Sequence, residues 1–212
     1  MGYMDDATIA ADLSPLALSI LELLHERPMH PYELAATMRA RHHDEFVRLN
    51  FGSLYHTVEV LERNGWVVPS EREKEGRRPE RTIYRVSDAG RDVLQRAVSD
   101  ILANPRREYL HFSAGLMFMH HLSAEAAVQR LEERSQALLK VITKLSQILD
   151  EVQASHTRLS VIELEHKIAV LKAERAWVDK IAKEIADGKL EWRAGSNAGD
   201  EMLRRNHGEG TH

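Results

Sequence analysis

No cysteine occurs among the 212 residues. A disulfide framework and a thiolate zinc site are therefore both excluded, and a reducing compartment is a natural setting. Long apolar runs are missing too, since no stretch approaches the roughly 18 consecutive apolar residues that a membrane-crossing helix needs. Residues 1–11 include Asp5 and Asp6 and neither Lys nor Arg, which lacks the basic start and apolar core of a secretion signal. The expectation is a cytoplasmic protein. A strong charge of one sign is absent as well. Net charge is −4; residues 1–90 carry −4, the remainder is balanced, and residues 37–85 carry +2. A basic coat is excluded, so any nucleic-acid surface must be a local patch, working through a few phosphate contacts and sensitive to salt.

Catalytic signatures are equally scarce. There is no glycine-rich phosphate loop, nucleophile elbow or paired-carboxylate arrangement, so an enzyme is not expected. The 12 histidines include the adjacent pairs His42–His43 and His120–His121, and neighbours on a helix do not share a face. With no His-x-x-x-His beside a carboxylate, neither a metal nor another cofactor is expected.

What the chain does contain is a succession of helix signals. Residues 1–13 read as a mobile arm. Ser14-Pro15 starts a helix, with Ser as N-cap and Pro at the first helical position. Leu16, Ile20, Leu23 and Leu24 form its apolar stripe, and Arg27-Pro28 ends it. His30-Pro31-Tyr32-Glu33 opens a second helix with Leu34 and Met38 inward. A third follows Asn50: Leu54, Val58 and Leu61 fall on one face, and Asn64-Gly65 stops it. Two β-rich runs follow, Trp66–Val68 and Thr82–Val86, around a polar tip containing Gly76-Arg77-Arg78-Pro79. Ser87 caps a fourth helix through Val93, Leu94, Val98, Ile101 and Leu102, ended by Asn104-Pro105. Helix, helix, turn, helix and a two-stranded hairpin make a winged helix-turn-helix, whose third helix can enter a major groove.

Beyond residue 104 the pattern changes. Tyr109–His121, rich in aromatic residues and Met, reads as a buried helix, and as core in preference to an effector pocket. Ser123 caps a long helix in which Val128, Leu131, Ser135, Leu138, Ile142, Leu145, Leu149 and Val152 alternate spacings of three and four, a heptad seam with one polar member. Ser160 with Glu163 matches a capping box, and Val161, Leu164, Ile168, Leu171, Val178 and Ile185 continue a helix to Asp187-Gly188. The expected architecture is mostly α with a small two-stranded β wing: an arm (1–13), a winged helix-turn-helix (14–104), an antiparallel helical hairpin (105–192) whose leftover apolar face suits a second copy, and a disordered tail (193–212).

These residues resemble the PadR family of bacterial transcriptional regulators. The resemblance rests on Gly52-Ser53-Leu54-Tyr55, Leu61-Glu62 with Gly65, Gly76-Arg77-Arg78-Pro79, and Tyr84-Arg85-Val86-Ser87-Asp88-Ala89-Gly90-Arg91 leading into Leu94. The long helical hairpin is similar to that of the larger PadR subgroup, whose C-terminal domain dimerises. Pro31 departs from the Gly often found before Tyr-Glu, although either residue can open a helix. The resemblance implies a sequence-specific DNA-binding regulator: a homodimeric repressor on a pseudo-palindromic double-stranded operator, released by a small-molecule effector. It places DNA contacts in the third helix and the wing. Carried over by position, the candidates are Tyr32, Asn50, Ser53, Tyr55, His56, Arg77 and Arg78. Asn50 stands where donors at a helix N-terminus can meet a phosphate, and arginines at a wing tip suit phosphates or a narrow minor groove. Effector residues, operator sequence and regulated genes are not legible. Two other readings compete: a winged-helix protein-interaction module without DNA contact, and a metal-responsive sensor.

Overall fold

The computed structural model describes residues 13–73, 81–154 and 157–192. They fall into two compact units divided after Arg107. In the first unit, α1 (Pro15–Glu26) is the element around which the others pack. The Ser14 hydroxyl accepts the Ala17 N–H at 3.2 Å, as its N-cap position predicts. The buried face is wider than a simple stripe, because Ala17 and Leu21 join Leu16, Ile20, Leu23 and Leu24. That breadth follows from its neighbours, which include α3 (Phe51–Arg63), the hairpin and α4 (Asp88–Ala103). Between them, α2 (Pro31–Ala40) adds Leu34, Ala35 and Met38 to the same core. Each fully buried Leu or Met of this cluster contributes about 1.5–3 kcal/mol relative to exposure. Leu13, assigned to the mobile arm, packs against the core instead; its apolar side chain gains more there than in water. The rest of the arm lies outside the described residues.

The wing is longer than the β-rich runs imply. Strands β1 (Val67–Glu73) and β2 (Arg81–Val86) pair antiparallel from Val67↔Val86 to Glu73↔Arg81, with an irregularity between Pro69 and Glu71. Backbone pairing carries the ladder into a charged segment that has no apolar alternation to announce it. A further backbone pair joins the sheet: Met29 and Tyr84 exchange both N–H···O=C bonds at 3.0 Å. The turn between α1 and α2 is thereby tied to the wing, and Met29 is buried beneath it. At the far end the Ser87 hydroxyl accepts the Gly90 N–H at 3.0 Å and donates to the Gly65 carbonyl at 2.7 Å, so one residue caps α4 and holds the α3–β1 turn. Gly65 itself has φ +73, the left-handed conformation that stops α3. The α4 stripe is only half realised. Val93 and Ala97 are buried, whereas Val98, Ile101 and Leu102 are exposed, because the core of this unit ends before the last turns of the helix.

In the second unit, α6 (Ala124–Gln153) and α7 (Ile162–Ala186) form an antiparallel hairpin. Leu131, early in α6, clusters with Val178, Ala182 and Ile185, late in α7. Ile142, Leu145 and Ile148, late in α6, cluster with Leu164 and Ile168. The seam's polar member, Ser135, is buried and accepts a hydrogen bond from Arg175 Nε at 3.2 Å. Two expectations fail here. Ser160 and Glu163 make no capping box: the Ser160 hydroxyl pairs with Thr157 Oγ1, a short 3₁₀ turn (Arg158–Val161) intervenes, and α7 begins after Val161 without a side-chain cap. Tyr109–His121 is not a buried helix. It is a seven-residue α5 (His111–Met117) followed by a 3₁₀ turn, with Tyr109 81% and Phe118 56% exposed. Two turns cannot hide apolar groups on every side without a further partner. No helix among the described residues is long and apolar enough to cross a membrane.

Candidate nucleic-acid interface

The buried stripe Leu54, Val58 and Leu61 fixes which way α3 faces. At about 100° per residue, Gly52, His56, Glu59 and Arg63 lie opposite it, and all four are exposed. Of the candidates at α3, His56 lies on that outward line and the others beside it. On one side, Asn50 and Ser53, with His56, border a shallow cleft shared with Ser14, Phe46 and Arg48. On the other, Tyr55 sets its ring edge-on to His30, with centroids 6.4 Å apart.

Helix capping redefines what Asn50 and Tyr32 offer. The Asn50 side-chain oxygen accepts the Ser53 N–H at 2.8 Å. That amide is thus spent on the helix start, and only the Asn50 amide nitrogen remains as a side-chain donor. In the same way the Tyr32 N–H donates to His30 Nδ1 at 3.0 Å. What Tyr32 presents is its ring, 61% exposed and stacked on Phe51 with centroids 6.0 Å apart and planes 12° from parallel. Arg77 and Arg78, the wing-tip candidates, lie outside the described residues.

Two residues that sequence reasoning passed over belong to this surface. Phe51, the first residue of α3, is 42% exposed. The Arg39 guanidinium lies 5.2 Å from its ring centroid, within cation–π range, and no carboxylate among the described residues pairs with that arginine. Both were detectable: Tyr32 and Arg39 are two turns apart on one face of α2, and Phe51 is a large apolar residue off the buried stripe of α3. The wing flanks the same helix. Burial first, then the nearby Glu62 carboxylate, which also hydrogen-bonds it, pushes the Tyr84 phenol above its usual pKa. This couples the last turn of α3 to β2.

The second unit holds a cavity of about 300 Å³ between α5 and the start of α6, lined by Phe112, Leu116, Met119 and Leu131 with Arg130 and Arg134. Arg134 donates through Nε to Glu174 at 2.8 Å and lies 3.7 Å over the Phe112 ring. Phe112 meets Trp177 edge-on at 6.2 Å. No cluster of three or more His, Asp or Glu side chains suited to a metal occurs among the described residues.

A helical core, an α3 with one face exposed and a two-stranded wing define a winged helix-turn-helix fold. Residues 20–96 match the model of the Transcriptional regulator PadR-like family. None of the curated proteins matches the sequence significantly. Among solved structures, Bacillus subtilis PadR in complex with operator DNA aligns with TM-score 0.67 at 16% identity, over 80% of this chain and 98% of its own. The same protein in complex with p-coumaric acid aligns with TM-score 0.66 at 16% identity, over 82% and 99%. The Vibrio cholerae virulence activator AphA aligns with TM-score 0.62 at 21% identity, over 81% and 98%. Identities this low establish a shared fold.

Proposed function

We propose that this chain is a sequence-specific DNA-binding transcriptional regulator of the cytoplasm, a homodimeric repressor that leaves its operator when a small molecule binds. The observation that carries the reading is the outward line of α3, flanked by Tyr55 and the Tyr32–Phe51–Arg39 stack, within residues that match the PadR-like family model. The operator complex of the Bacillus subtilis neighbour supports it. Residues 14–104 act as the DNA-binding unit and 105–192 as the dimerisation unit. For dimerisation the support is apolar surface: Leu159, Ile162, Val170 and Trp177 are exposed along one end and one helix of the hairpin. Arg77 and Arg78 are assigned contacts to DNA on their sequence pattern alone. The cavity beneath α5 supports an effector of about one ring, and its two arginines favour an apolar acid; p-coumaric acid, bound by the neighbour, has that character.

Selection from random DNA with the purified protein tests the first part, and transcription from a template carrying the selected site distinguishes repression from activation. Titration of the bound complex with single-ring aromatic acids tests release. A protein that enriches no sequence belongs to the interaction-module class instead.

A further inference from the structure

Gly52 is an anomaly within α3. Glycine is a poorer helix former than every residue but proline, and it is normally explained by its own backbone or by a neighbour that leaves no room for a side chain. Neither explanation applies. Among the described residues the glycines with positive φ are Gly65 and Gly188, so Gly52 needs no special conformation. A Cβ placed on it would meet only Asn50 Oδ1, at 3.6 Å, an ordinary van der Waals contact. Gly90 is the opposite case, since a Cβ there would overlap the Trp66 backbone. Nothing within the described fold calls for glycine at position 52. Yet the residue lies in the first turn of α3, on the outward line with His56, Glu59 and Arg63. The first residues of a groove-reading helix are those that approach base edges most closely.

We propose that Gly52 is a close-approach position: its missing side chain lets the start of α3 settle against the DNA, and so sets the depth at which His56, Glu59 and Arg63 meet base edges. This rests on the DNA-binding reading above. The residue is a positioning residue that acts by what it leaves out, and folding stability and DNA affinity should therefore move independently when it is changed. Alanine, serine and leucine all favour a helix more than glycine, while each adds atoms to the surface that faces the groove.

The test uses the full chain and the tightest duplex recovered by selection with the wild type. Affinity, Tm and solution mass are measured for Gly52→Ala, Gly52→Ser and Gly52→Leu. Tm should stay at or above the wild-type value and mass should be unchanged, while affinity falls by about tenfold for Ala, the order of one lost base contact, and further for Leu. Affinity within twofold of wild type for both Ala and Leu would overturn the assignment. A loss of affinity accompanied by a lower Tm would overturn it in favour of a structural role, and one accompanied by a changed mass would overturn it in favour of a subunit contact. A wild-type protein that selects no sequence at all removes the DNA reading itself, a result recognisable before any variant is made.

Discussion

Gly90 lies against the backbone of Trp66 so closely that any side chain would collide with it: a Cβ at Gly90 would overlap the Trp66 carbonyl oxygen and stand 2.9 Å from its carbonyl carbon and 2.8 Å from Val86 Cγ2. The first turn of α4 is thereby pressed onto the α3–β1 turn, where the Ser87 N–H also donates to the Trp66 carbonyl at 2.9 Å. Gly90→Ala should destabilise the protein by about 1–3 kcal/mol, the usual range for overpacking a site whose neighbour is backbone. Chemical denaturation reads this directly, and a stability equal to wild type would show that the junction can open without loss.

Arg134 joins three parts of the second unit: it donates to Glu174 on α7, stacks over Phe112 on α5, and stands on α6 itself. Arg134→Ala should cost about 1–2 kcal/mol, from a partly buried charged hydrogen bond and a cation–π contact. Arg134→Lys should restore little, because a compact ammonium cannot both stack and donate in the plane of a guanidinium. Thermal denaturation of the two variants decides; full rescue by Lys would reduce the role of Arg134 to its charge.

The order of elements was legible because its signals are local. Ser14, Ser87 and Ser123 each cap the helix that their position announces, and the spacing from Val128 to Val152 runs along the observed seam, with Ile148 buried beside Leu149. What was hidden depends on partners distant in sequence. The Met29–Tyr84 backbone pair leaves no side-chain periodicity to read, and the strands run into Glu71–Glu73, where charge masks β structure. The apolar composition of Tyr109–His121 indicated burial, but composition does not say by which chain. The candidate interface could be named from sequence as a stretch of residues, whereas which of them share a face depends on the buried stripe of α3. Asn50 and Ser53 have polar groups suited to DNA, but the cap they make with each other consumes part of that capacity.

The Glu26–Arg41 pair gives stability a pH dependence of known sign. The Arg41 hydrogen bond, the largest influence, holds the Glu26 carboxyl below its ordinary pKa of 4.5. Its contribution is therefore complete above that ordinary value and is lost as pH falls through the lowered one. Both side chains are substantially exposed, so the effect should stay below about 1 kcal/mol. Wild type should exceed Glu26→Gln in Tm at neutral pH, and the gap should close on acidification below about pH 4. A gap that widened in acid would refute this.

Arg39 carries a guanidinium that no carboxylate among the described residues neutralises, held over Phe51 beside the start of α3. A phosphate contact from it should appear in the salt dependence of binding: Arg39→Ala should weaken all duplexes alike and make the logarithmic salt slope shallower by about 1. An unchanged slope would place Arg39 off the DNA.

In the proposed dimer, two copies of α3 read one duplex. Selection from random DNA, followed by footprinting of the winning site, measures this. A dimeric regulator should enrich a pseudo-palindrome whose half-sites lie about 10 bp or a multiple apart and protect it symmetrically. A single asymmetric site protected by a monomer, or no enriched sequence, would refute the dimeric reading.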